Sequence, residues 1–175
     1  MNIVIREATV EDAKTISFIG VTSWKSAYNG IVPNEYLDSL SVEKREKYLE
    51  KSMMIPTNRF AIAELDGKAV GMICFYPTQC ETPTEGEWEL EALYLLPEYW
   101  KRGIGRALIQ YALHYMRGNH ASVCNLWVLA DNQRARGFYE KIGFKYTGVE
   151  KTITIGGKDL IEVYYQICLQ GIDKA

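Results

Sequence analysis

The sequence predicts a mixed α/β (α+β) fold, a sheet flanked by helices. Three observations predict it. Apolar residues recur with a period of two in some segments and near 3.6 in others, and the two kinds alternate along the chain. Glycine, proline and Asx residues mark the boundaries between them. No Pro/Gly/Ser-rich linker and no internal repeat interrupts the order. At 175 residues the chain is close to the common domain size and long enough to bury one sizeable core. Residues 1–175 are therefore read as a single domain.

The elements follow in order. Ile3 to Arg6 is a strand, and Thr9 followed by Asp12 marks a capped start with an acidic first turn for a helix carrying Ala13, Ile16, Ile19 and Gly20. Trp24 to Leu40 is a second helical region, interrupted by Asn29-Gly30 and Pro33. Ser41 caps the highly charged stretch Val42 to Lys51. Phe60 to Glu64 and Ala69 to Tyr76 are strands, joined by the hairpin pair Asp66-Gly67. Thr78 to Gly86, rich in Thr, Pro and Glu, is a loop, and Trp88 to Leu95 is the next strand. Gly103 to Met116 is a helix, because Ile104, Leu108, Ile109, Ala112, Leu113 and Met116 form one apolar stripe. Val123 to Leu129 is a strand, and Gln133 to Ile142 a helix closed by Gly143. Tyr146 to Ile155 and Leu160 to Ile167 form a terminal hairpin around Gly156-Gly157.

Composition limits the partners. Lys and Arg number 20 against 22 Asp and Glu, and a net charge of −2 gives no global attraction to nucleic acid or to an anionic membrane. Any anion site must be local. Cys74, Cys80, Cys124 and Cys168 form no C-x-x-C pair, and His114 and His120 lie near no cysteine cluster. Neither zinc nor a disulfide framework is suggested, and no metal is expected. No apolar run approaches the roughly 20 residues of a membrane span. The start Met-Asn-Ile-Val-Ile-Arg-Glu lacks the layout of a signal peptide. A cytoplasmic location is expected, and a homodimer is left open.

The most informative segment runs from Leu93 through Leu95 and Leu96-Pro97-Glu98-Tyr99-Trp100 into Lys101-Arg102-Gly103-Ile104-Gly105-Arg106. It reads as a strand leading into a glycine turn that opens an amphipathic helix. Two glycines one residue apart permit a tight turn with bare amide N–H groups. The first turn of a helix adds unpaired donors and the positive end of its dipole. Lys101, Arg102 and Arg106 add fixed charge at the same point. The combination is a cradle for a diphosphate. The plainer reading, in which Gly103 and Gly105 only shape a connection, leaves those cations unexplained.

A second landmark is Asn132-Gln133-Arg134-Ala135-Arg136-Gly137-Phe138-Tyr139-Glu140-Lys141-Ile142-Gly143-Phe144. Together the two segments resemble the GNAT N-acetyltransferase superfamily. In that family a glycine turn binds the pyrophosphate of acetyl-CoA, and an Asn-x-x-Ala-x-x-Phe-Tyr-x-x-x-Gly-Phe helix follows the next strand. Asn132, Ala135, Phe138, Tyr139, Gly143 and Phe144 match in order and spacing. The resemblance is firmest over residues 88–145, with weaker matches at Ile3 to Ala13 and Trp24 to Leu40. It implies a mostly antiparallel sheet that splays between strands 88–95 and 123–129, with acetyl-CoA as cosubstrate. It also implies that main-chain groups of Leu93 and Leu95 pair with the pantetheine arm, beside Tyr94. The Leu95 N–H is the implied oxyanion donor, and Asn132 a contact to the CoA arm. Lys101, Arg102, Gly103, Ile104, Gly105 and Arg106 would form the pyrophosphate cradle. The chain departs from the family pattern at Trp100, where Gln or Arg is usual, and at Gly137, which sits mid-helix at a cost of about 1 kcal/mol relative to Ala.

Chemistry enters on the strand before the cradle. A period of two places Trp88, Leu90, Ala92 and Tyr94 on one face and Glu87, Glu89, Glu91, Leu93 and Leu95 on the other. An alkylamine with a pKa near 10.4 is protonated at neutral pH, so a carboxylate must take its proton before nitrogen attacks a thioester. Neighbouring carboxylates raise one another's pKa. Glu89 is the first candidate base, because the resemblance aligns the family's base with it, and Glu91 the substitute. A solvated acidic face with no chemistry is the competing reading. Tyr139 is the candidate acid that protonates the departing CoA thiolate, a role carried by the motif match, since a Tyr beside Phe in a helix is otherwise a core residue.

The acceptor is least legible. Trp24, Tyr28, Tyr36 and the Asn29 to Pro33 loop either wall an amine pocket or belong to the core. Three functions are weighed. The favoured one is N-acetyl transfer from acetyl-CoA to a primary amine of a small molecule or peptide by direct attack in a ternary complex. The alternative is a non-catalytic acyl-CoA-binding regulatory module on the same fold. A dinucleotide oxidoreductase is disfavoured, because Gly103-Ile104-Gly105-Arg106-Ala107-Leu108 lacks the third glycine of G-x-G-x-x-G.

Overall fold

The computed structural model describes residues 2–78 and 86–169. Most of the loop expected over Thr78 to Gly86, with Cys80 in it, lies outside them. Strand β1 (Ile3–Glu7) leads through a 3₁₀ turn at Val10–Asp12 into α1 (Ala13–Ala27). The Asp12 carboxylate accepts the Thr9 N–H at 2.9 Å and forms a two-pronged pair with Arg6. Helix α2 is Asn34–Ser39 and α3 is Val42–Met53, whose Lys44 N–H donates to the Ser41 hydroxyl at 3.3 Å. Trp24 thus closes α1 and does not open a second helical region; Gly30 at φ +79° and Pro33 make the break after it. Strands β2 (Arg59–Leu65), β3 (Lys68–Pro77) and β4 (Glu87–Leu95) form a meander. Helix α4 (Ile104–Gly118), β5 (Val123–Leu129), α5 (Gln133–Ile142), β6 (Lys145–Ile155) and β7 (Lys158–Cys168) complete the order.

The seven strands form one sheet in the order β1-β2-β3-β4-β5-β7-β6. Every neighbouring pair is antiparallel except β4 and β5. That parallel pairing spans only Glu87 with Val123, Trp88 with Cys124 and Glu89 with Asn125, after which the two strands part. The splay implied by the family resemblance is therefore present, and it begins two residues before Glu91.

The face assignment of β4 needs a correction. Cys74 pairs with Ala92 but Phe75 with Leu90, so Glu91 is an extra residue, a β-bulge. A bulge shifts the side-chain phase by one. Trp88 and Leu90 pack with Leu93 and Leu95 on the side of α4, whereas Ala92 and Tyr94 pack with Ile16, Ile19 and Leu49 on the side of α1 and α3. The acidic residues and the apolar pair Leu93 and Leu95 therefore lie on opposite faces of the sheet, joined through the gap.

The two cores hold the gap open. On one side the stripe of α4 buries Leu108, Ile109, Ala112 and Met116 against Ile73, Phe75 and Leu90. The larger of these, Leu108, Ile109 and Met116, each contribute roughly 1.5–3 kcal/mol of transfer free energy. A third cluster of Val32, Leu37, Leu129 and Leu160 ties the α1–α2 segment to the β6–β7 hairpin, and Lys158 donates to the Ile31 carbonyl at 2.8 Å.

Candidate active site

A cleft of about 580 Å³ runs through the gap between β4 and β5. Its wall includes Leu93, Tyr94, Leu95, Lys101, Gly103, Gly105, Arg106, Asn132, Tyr139, Tyr28 and Glu91. Most of the site residues expected from sequence are thus brought together.

The glycine turn is built by alternating backbone handedness. Lys101 lies at φ +61° and Gly103 at φ +82°, with Arg102 between them, and such alternation turns successive N–H groups toward one concave side. Gly103 is the N-cap of α4, so the first amides of that helix, including those of Ile104, Gly105 and Arg106, have no acceptor within the helix. The two glycines serve different ends. A Cβ on Gly103 would meet nothing within 4 Å, so its requirement is conformational. A Cβ on Gly105 would stand 3.3 Å from Phe138 and 3.4 Å from Leu95, so this glycine also relieves packing beneath the turn. The Ile104 side chain is in the core, leaving its amide alone to act. The Arg102 guanidinium lies over the Tyr99 ring at 5.3 Å and is not part of the cleft wall.

Main-chain polarity of β4 follows from one bond. The Leu96 N–H donates to Val70 of β3 at 2.9 Å, so by alternation the main-chain groups of Leu93 and Leu95 point away from β3, into the gap. The Leu95 carbonyl is already taken, accepting the Trp100 indole N–H at 3.0 Å. The Leu93 main chain and the Leu95 N–H thus face the gap, while the Leu95 carbonyl already accepts one bond.

Sequence reasoning missed Arg134 as a wall residue. Its guanidinium sits 3.4 Å from the centroid of the Trp100 ring, and both side chains line the cleft. Burial lowers its pKa, the Tyr28 phenol opposes that, and no carboxylate among the described residues bridges it. The signal was visible: α5 has no acidic residue in its first turn and carries Arg134 there instead, against the helix dipole. A cation in that position suits an anionic ligand.

The remaining residues sort by contact. Asn132 caps α5, its Oδ1 accepting the Ala135 N–H at 3.1 Å, and its side chain faces the Tyr28 phenol. Tyr28 lines the cleft, whereas Trp24 is not part of its wall and packs behind Tyr28 at 4.6 Å between centroids. Tyr139 packs edge-on against Phe138 and Phe144, and burial holds its phenol above the usual pKa, protonated at neutral pH. Glu91, the exposed residue of an otherwise covered strand, lines the cleft and accepts the Cys74 thiol at 3.2 Å. Burial, then the Glu91 charge, keeps that thiol neutral. Glu89 is half-buried beside the cleft and not in its wall; burial and the Glu91 charge raise its pKa, and Lys151 opposes them.

A cleft with an amide cradle at one end, unpaired strand edges along it and a carboxylate and phenol beyond defines an acyltransferase that takes its acyl group from a nucleotide thioester. Residues 22–144 match the acetyltransferase (GNAT) family. The chain belongs to that family, and it is an acetyl-CoA-dependent N-acetyltransferase. It is 33% identical over 150 residues to the spermidine N(1)-acetyltransferase of Thermoplasma acidophilum, covering 83% of this chain and 89% of that one. It is 33% identical over 132 residues to the uncharacterized N-acetyltransferase YuaI of Bacillus subtilis, covering 74% and 73%. A crystal structure of the PaiA N-acetyltransferase from T. acidophilum in complex with coenzyme A superposes with a TM-score of 0.73 at 31% identity, covering 93% of this chain and 98% of that one. No helix among the described residues is long and apolar enough to cross a membrane.

Proposed function

We propose that the protein acetylates the primary amine of a small cationic molecule by direct attack in a ternary complex, with residues 1–175 acting as one domain. The observation that supports this most is the single cleft that joins the glycine turn, the open edge of β4, Tyr139 and Glu91. The site suits acetyl-CoA on three counts: the left-handed turn at Lys101 and Gly103, the unpaired first amides of α4, and the desolvated guanidinium of Arg134. Lys101, Arg106 and Arg134 would hold the diphosphate, and Leu93 the arm. When bound, acetyl-CoA supplies an activated acetyl group at the gap.

This chain's own groups then do the rest. We favour Glu91 over Glu89 as base; its place in the cleft wall supports this, since reach precedes pKa. Its carboxylate takes the acceptor's proton, held in place by the Cys74 thiol. Burial and then the Glu91 charge favour the protonated state of Glu89 beside it. The Leu95 N–H, pointing into the gap, is placed to donate to a developing oxyanion. Tyr139 holds a proton on its phenol oxygen for the leaving sulfur. The acidic face and the spermidine-acetylating relative both favour a cationic amine over an uncharged one.

The test is a thiol-release screen with acetyl-CoA against polyamines, aminoglycosides, amino acids and peptides with a free N-terminus. Release with a cationic small amine is the expected result. CoA binding with no release from any amine would instead favour the non-catalytic acyl-CoA-binding module.

A further inference from the structure

Beyond the bulge, the β5-β7-β6 part of the sheet carries an arrangement that the transfer chemistry does not use. Trp127 of β5 is in the cleft wall. Lys151 of β6 is paired across the strands with Glu162 of β7 and bridges it at 3.2 Å. A lysine at that position is free to extend into solvent. Instead its ammonium reaches across β7 and lies 4.0 Å from the centroid of the Trp127 ring, within the range of a cation–π contact. Glu89 belongs to the same group: its register partner Asn125 is two residues from Trp127 on the same face, and Lys151 opposes the rise of its pKa. Next to it the Asn125 amide nitrogen is buried without a partner among the described residues, in a residue 1% exposed. An aromatic face, two carboxylates and an ammonium seated among them form a site for an alkylammonium ion that the chain fills with its own side chain.

We propose that Trp127, Glu162 and Glu89 form a cation subsite for the distal, non-reacting ammonium of a diamine or polyamine acceptor, and that Lys151 occupies this subsite until the acceptor displaces it. The inference rests on the acetyl-transfer reading of the same cleft and names its substrate class. The Lys151 side chain is 45% exposed, so it can swing out without disturbing the core. With Lys151 in place, a monoamine gains nothing from the subsite. A diamine recovers the contact that Lys151 gives up.

The experiment is calorimetry on the CoA-saturated protein with 1,4-diaminobutane and n-butylamine, run beside thiol release with acetyl-CoA. Lys151→Met keeps a flexible side chain and removes the competing charge. It should tighten diaminobutane binding several-fold and widen the preference for the diamine over the monoamine. Trp127→Leu should weaken diaminobutane binding about 5-fold or more and narrow that preference. Unchanged or weaker diaminobutane binding in Lys151→Met, or a preference indifferent to Trp127→Leu, overturns the subsite. The two readings fail separately. Tighter diamine binding without thiol release keeps the subsite and removes the enzyme reading, and release from amines that is indifferent to both variants does the reverse.

Discussion

Arg134 offers the sharpest test of where the diphosphate sits. The guanidinium lies over the Trp100 ring at the cleft wall, partly desolvated and without a carboxylate partner among the described residues. If it contacts a phosphate oxygen, removing it forfeits a charge-assisted bond of about 1.5–3 kcal/mol, or roughly 10- to 100-fold in CoA affinity. The folded state should hardly notice. Arg134→Ala gives up a cation–π contact of about 0.5–1 kcal/mol, but it also relieves a cation at the positive end of α5, worth about 0.3–1 kcal/mol. The two nearly cancel. The expected outcome in titration calorimetry is therefore a large loss of CoA affinity with Tm moved by no more than about 2–4 °C. Acetyl-pantetheine, which lacks the diphosphate, should bind both proteins alike. Arg134→Lys keeps the charge without the planar stack and should fall between them. Equal losses for CoA and acetyl-pantetheine would refute the assignment, because the defect would then lie in the shape of the cleft.

Four further variants test the same geometry. Glu91→Gln should lower turnover by about 10²-fold or more at unchanged CoA affinity. Glu89→Gln, beside the cleft and not in its wall, should cost less; a Glu91→Gln enzyme with wild-type kcat would eliminate Glu91 as base. Tyr139→Phe retains the edge-on packing with Phe138 and Phe144, so single-turnover rates should drop roughly 10- to 10³-fold with little change in melting, and normal turnover with a lowered Tm would make it a core residue only. Gly137 lies mid-helix, and an added Cβ meets nothing within 4 Å, so Gly137→Ala should stabilise by about 0.5–1 kcal/mol in chemical denaturation. Because Gly137 also lines the cleft, that gain should come with weaker CoA binding.

What was legible in the sequence was what residue type alone decides. Asp66-Gly67 and Gly156-Gly157 take the positive φ angles that hairpin turns demand, and the spacing of Leu108, Ile109, Ala112 and Met116 places α4 without ambiguity. The bulge at Glu91 was not legible, because an extra strand residue carries no distinguishing side chain and any polar residue can occupy it. Missing it reversed the faces of Ala92, Tyr94, Leu93 and Leu95, since a slip of one flips every side chain beyond it. The packing at Gly105 was not legible for a similar reason: the need for glycine could be read, but not that the Phe138 ring, on a helix more than thirty positions on, would stand beside it. Trp24 and Tyr28 look equivalent in sequence, and only the path of α1 decides that Tyr28 meets the cleft.

The bulge also explains why the acid and the acyl site can be neighbours at all. Were β4 regular, it would pair with β5 along its length, and its edge groups would be consumed by the ladder. Pairing instead stops at Glu89 and Asn125, and the extra residue comes two positions later, where the increased local twist carries β4 away from β5. One deformation therefore does two things: it frees the main chain of Leu93 and Leu95 to face the gap, and it turns Glu91 out of a strand that is otherwise covered. Open edges inside a sheet invite non-native pairing. Here the exposure is limited, because the Trp100 indole seals the Leu95 carbonyl and the Arg134 guanidinium covers that indole. The residue that departs from the family pattern at position 100 thus closes the strand edge, and the cation it would otherwise have supplied is brought to the same wall by α5.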